Sequence, residues 1–62
     1  MNIGTIIQTK YASGKSFTYK IVSIGKNKHE VLTLYELENV ESHVRQFVTH
    51  KNLMDVCEVI SE

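Results

Sequence analysis

The stretch SFTYKIVSI, residues 16–24, decides the fold. In its first half Phe17 and Tyr19 alternate with Ser16, Thr18 and Lys20, the period of a half-buried β-strand. After Ile21 the phase changes, and Val22 and Ile24 carry the apolar side with Ser23 between them. An apolar phase that switches without a turn residue predicts a β-bulge or sharp bend, the device that lets a small sheet curl on itself.

Outward from this stretch, the chain has no proline and three glycines, so polar clusters must supply the breaks. They fall at 12–15, 25–28, 38–42 and 50–52, and the segments between them have strand length. β-Branched and aromatic residues fill those segments where a helix would favour Ala, Leu, Glu or Lys. In Glu30–Leu37 one face reads Val31, Thr33, Tyr35, Leu37 and the other Glu30, Leu32, Leu34, Glu36, so both faces carry apolar groups, as in a central strand. In His43–His50 the inward phase is ambiguous. The last segment is contested, because Leu53, Val56, Cys57 and Ile60 have helical spacing behind an Asn52 cap with Asp55 in the first turn. Its β-branched content argues for strand. We expect one helical turn at His50–Met54 followed by a strand at Val56–Ile60.

Five short strands, a long bent second strand and a helical turn before the last one resemble the arrangement of SH3-like small barrels over nearly the whole chain. The expectation is an all-β, five-stranded SH3-like barrel or curled antiparallel sheet forming one domain, residues 1–62. No aromatic proline-binding signature, RNP motif or glycine-centred KOW signature accompanies the resemblance. Barrels of this kind bind protein, RNA or DNA, so the resemblance implies binding without naming a target.

A composition of 42% hydrophobic and 23% charged residues excludes disordered, collagenous and membrane chains. The single cysteine, Cys57, cannot close an internal disulfide, which points to a reducing, cytoplasmic compartment. The opening MNIGTII lacks the basic start and apolar core of a signal peptide, and no membrane contact is expected.

Charge is balanced overall but divided along the chain. Residues 1–29 hold five lysines and no acid, whereas residues 30–62 hold seven acids against Arg45 and Lys51, giving +5 and 2 − 7 = −5. Lys10, Lys15, Lys20, Lys26 and Lys28, interleaved with Tyr19, therefore form a candidate nucleic-acid surface of cations and stacking rings. The neutral total gives no general attraction to phosphate, and pairing of these lysines with glutamates across the sheet is the favoured expectation.

His29, His43 and His50 have no close ligand spacing, so no metal is expected, and no cofactor motif is present. The letters GKS at Gly14–Ser16 lack the upstream glycine of a phosphate loop, since Thr9 occupies that place; Gly14 suits a hairpin turn instead. A chain this small is not expected to wall an active-site cleft, so no catalytic residue is assigned. Cys57, in an apolar run, is expected to be a small buried hydrophobe.

Surface binding remains. A core this small yields only about 3–5 kcal/mol, so docking on a larger protein, or a homodimer, would cover open edges and leftover apolar groups such as Leu32, Leu34, Phe47 and Met54. We expect a non-enzymatic protein-binding module, a small stand-alone regulator or inhibitor of the kind phages and mobile elements encode. Tyr11, Tyr35, Arg45 and Phe47 are the expected solvent-side anchors, because Tyr, Phe and Arg are enriched in interfaces. The alternative is a nucleic-acid-binding SH3-like or OB-like barrel using the lysine-rich N-terminal hairpins.

Overall fold

The computed structural model describes residues 1–10, 14, 16–26 and 32–62. Five strands form one antiparallel sheet: β1 Ile6–Thr9, β2 Thr18–Lys26, β3 Thr33–Asn39, β4 Arg45–Thr49 and β5 Cys57–Ser61, with one helix, α1 His50–Val56, between the last two. The spatial order is β4-β3-β2-β1-β5. Of the two architectures anticipated, barrel or curled sheet, the sheet is the one formed: β4 and β5 are unpaired edges and do not close on each other.

The switch of phase after Ile21 is a bulge. Ile21 lies opposite Leu37 and Ser23 opposite Glu36, leaving Val22 as the extra residue. Beyond it Ile24 lies opposite Tyr35. Gly14, between β1 and β2, adopts φ +94°, the conformation for which a turn glycine was expected. Lys15 lies outside the described residues, as do Tyr11, Lys28, His29 and the start of the expected 30–37 strand.

The core consists of Ile7, Ile21, Tyr35, Leu37, Leu53 and Cys57, with Met1, Tyr19 and Val48 packed against it. Alternation explains which residues are inside. Ile7 and Thr9 of β1, Ile21 of β2, Tyr35 and Leu37 of β3 and Cys57 of β5 share the concave face, while the residues between them point outward. Phe17, expected in the core, is 45% exposed at the mouth of that face.

The last segment keeps the expected order of helix and then strand, with shifted bounds. The helix runs to Val56 rather than Met54, and the strand starts at Cys57. Its cap is Thr49, not Asn52: the Thr49 hydroxyl accepts the Asn52 N–H at 3.3 Å, a bond worth about 1 kcal/mol. Leu53 is the helix's buried residue, and the Cys57 N–H donates to the Leu53 carbonyl, so the helix runs directly into β5.

Candidate interaction surface

Two features of the surface bear on function: the edge strand β4 and the hollow of the concave face. The register of β4 against β3 pairs Glu38 with Arg45, Leu37 with Gln46, Glu36 with Phe47 and Tyr35 with Val48. Because Asn39 N–H donates to the Val44 carbonyl at 3.0 Å, the alternation of an antiparallel ladder makes Leu37–Gln46 and Tyr35–Val48 its hydrogen-bonded pairs. The backbone groups of Arg45 and Phe47 therefore point away from β3 to the open edge, while the carbonyl of Thr49, the N-cap of α1, is taken by the helix. The side chains of all three lie on the convex face, and those of Gln46 and Val48 on the concave one.

On the convex face Phe47 is 72% exposed, the most exposed large hydrophobic among the described residues. Beside it, Arg45 Nε donates to Glu38 Oε1 at 3.0 Å, and His43 Nδ1 meets Glu38 Oε2 at 3.1 Å. Asn39 sets up this trio, since its side-chain oxygen accepts the N–H groups of Glu41 and Ser42 and turns the chain back at His43, whose φ is +63°. The hydrogen bonds from His43 and then Arg45 hold the Glu38 carboxyl below its ordinary value of 4.5.

A carboxyl lowered in the folded state stabilises fully above its unfolded value, and that contribution disappears as pH drops through the lowered folded value. Glu38→Gln is therefore expected to flatten the acid limb of the stability profile, read as melting temperature from about pH 7 down to about pH 3. An acid limb as steep as in the unsubstituted protein would remove Glu38 from the account.

Of the anticipated anchors, Arg45 and Phe47 lie together on the exposed edge, and Tyr11 is outside the described residues. Tyr35 is a correction. It is 5% exposed, on the concave side of β3, with its hydroxyl hydrogen-bonded to His50 Nδ1 at 2.8 Å. Two apolar faces on one strand concealed which of them turned inward.

The lysines are dispersed. Lys10 Nζ donates to the Met54 carbonyl at 2.9 Å, near the end of α1. Lys20 sits on the convex face opposite Glu38, and Lys26 near the far end of the sheet opposite Thr33. Tyr19 precedes Lys20 on one strand, so this ring and this cation point to opposite faces, and Lys15 and Lys28 of the anticipated surface lie outside the described residues.

The hollow is a second correction. Against the expectation of no cleft, the concave face holds a half-open hollow of about 300 Å³ between Phe17, Tyr19, Val48, Leu53 and Val56, with Cys57 in its wall. Burial pushes the Cys57 thiol up, opposed by the nearby Lys10 charge, so it remains a neutral apolar group. Among the described residues no three of His, Cys, Asp and Glu gather as metal ligands, and no helix is long and apolar enough to cross a membrane.

Nothing in the sequence singled out β4 as the edge. Its exposure follows from β3 pairing with both β2 and β4 while β5 returns to β1, which is a long-range choice. Comparison with known proteins gives no match, whether to a family model, to a curated protein or to a solved structure.

Proposed function

We propose that the protein is a non-enzymatic protein-binding module whose contact surface is the β4 edge, with Phe47 and Arg45 as anchors. The observation that carries this reading is an aromatic ring 72% exposed on a strand whose outer backbone groups have no partner strand among the described residues. Native sheets blunt such edges with proline, charge or bulges; β4 has no proline and no bulge, and its one charge, Arg45, is engaged by Glu38. Its exposed backbone is suited to accepting an added strand, with side chains setting specificity. A single cysteine held as a neutral, buried thiol suits a reducing cytoplasm. The apolar side chains exposed at this edge fit a regulator or inhibitor, of phage or mobile-element type, that acts by covering part of a larger protein.

Affinity capture from cell lysate, with and without nuclease, tests the class of partner. Capture should survive nuclease and weaken about thirtyfold for Phe47→Ala, the loss of a hot-spot residue worth about 2 kcal/mol. Arg45→Ala should weaken it less. Capture abolished by nuclease and insensitive to Phe47 would transfer the function to nucleic acid and the lysines.

A further inference from the structure

We propose that β4 pairs antiparallel with β4 of a second copy of this chain, about a twofold axis through Gln46, fusing the two sheets into one. The inference rests on the reading above that the β4 edge is the binding surface, and it names the occupant of that edge while no larger protein holds it.

Both sheet edges are open, but they are not equivalent. On β5 the Cys57 N–H is already bonded to Leu53, the register slips between Ile6 and Ile7 so that Ile60 bulges, and Glu58 adds charge. A bulged, acidic edge resists strand addition. On β4 the outward backbone groups of Arg45 and Phe47 are in regular register with β3.

Charge and burial then select the pairing. Only registers that set these outward groups against each other can form a ladder. Centring the axis on Arg45 places two guanidinium groups face to face, a like-charge pair that opposes association. Centring it on Phe47 places polar Gln46 against Val48 and leaves Val44, 64% exposed, uncovered. Centring it on Gln46 resolves both conflicts.

In that register Arg45 lies opposite the second copy's Phe47, so the cation can rest on the ring face. Val44 lies opposite Val48 on the concave side, and Gln46 meets its own symmetry mate. The convex row running across the junction reads Glu38, Arg45, then Phe47 and Glu36 of the second copy, and the same row recurs in reverse. Each arginine is thus flanked by its own Glu38, already bonded at 3.0 Å, and by a ring backed by a second carboxylate. β4 carries no acid of its own, and self-pairing adds the second copy's ring and Glu36 to the Glu38 that Arg45 already has. The apolar side chains left most bare at this edge in one copy, Phe47 of β4 and Val44 just before it, both gain a neighbour.

The register gives a covalent test. Residues at the twofold form a non-hydrogen-bonded pair with Cα atoms about 4.5 Å apart, within the range a disulfide spans. Gln46→Cys, at an exposed position, should yield a disulfide-linked dimer under mild oxidation, whereas Thr49→Cys, which has no cysteine opposite, should not. The unsubstituted chain, followed by sedimentation or light scattering, should rise with concentration from 7.1 kDa towards twice that mass. Phe47→Lys sets a cation against Arg45 of the second copy, while in its own chain it gains Glu36 as a cross-strand neighbour. It should remain folded by circular dichroism and weaken the dimer at least about tenfold.

A chain that stays at 7.1 kDa up to about 1 mM, or equal cross-linking of the two cysteine variants, would overturn self-pairing. The two readings fail separately. A monomer whose capture of another protein still depends on Phe47 sinks only the self-pairing, and capture indifferent to Phe47 sinks the edge as a surface for any other protein.

Discussion

Ile21→Ala is expected to unfold most of the molecules at 25 °C. Ile21 is fully buried, faces Leu37 across the sheet, and sits immediately before the Val22 bulge. Its backbone is also committed, since its N–H donates to the Thr5 carbonyl and its own carbonyl accepts the Gly4 N–H. Truncating a buried isoleucine costs about 2–5 kcal/mol through lost transfer energy and the cavity left behind. A domain of this size holds only about 3–5 kcal/mol in total, so the loss matches the whole reserve. Ile21→Val, which removes one methyl group, should cost about 0.5–1.5 kcal/mol and stay folded with a lower urea midpoint. Far-ultraviolet circular dichroism and urea melts of the two variants decide the matter. An alanine variant that melts like the parent would mean that the centre of the core lies elsewhere.

Leu53→Ala should release the helix. A seven-residue helix cannot sustain itself in water, and α1 is held by one buried side chain, the Thr49 cap and the hydrogen bond between His50 and Tyr35. Leu53 also walls the cavity, so its removal widens a hollow instead of allowing collapse, and of the roughly 2–5 kcal/mol lost the fold gives up only what opening α1 and β5 costs while β2, β3 and β4 stay paired. Because Cys57 donates to the Leu53 carbonyl, β5 should loosen with α1. Hydrogen exchange of the amides of Lys51–Ser61 should quicken well beyond that of β2 and β3. Uniform quickening across the whole sheet would instead mark α1 and β5 as part of one cooperative unit with the rest.

What the sequence reveals of this fold is what can be written in short-range pattern. The slip at Val22 is readable because apolar residues on both sides of it keep a strict alternation, so a single extra residue is visible as a shift of phase. Gly14 is readable because the turn needs a conformation that glycine adopts freely. Tyr35 is not, since Leu34 on the other face of β3 and Leu32 just before it offer an equal claim to the interior, and His50, which shares a hydrogen bond with its hydroxyl, is fifteen residues away. The Asn52–Asp55 spacing imitates a cap, yet Thr49 takes that role because the helix starts a turn earlier, directly from β4. The surface is the least legible part. Arg45 and Phe47 are chosen by residue type alone, and their standing as edge residues depends on which strands pair, a decision made by contacts between distant segments.

Gln8 lies beside Glu58, so the sheet joins the first strand of the chain to the last. During synthesis β1 leaves the ribosome early and has β2 for company, but the far side of its ladder stays bare until β5 emerges. The hairpins can form in sequence as they appear, whereas closure of the hydrophobic interior waits for Leu53 and Cys57. Refolding from denaturant should accordingly be slow for so short a chain, in the range of milliseconds to seconds typical of topologies dominated by distant pairings.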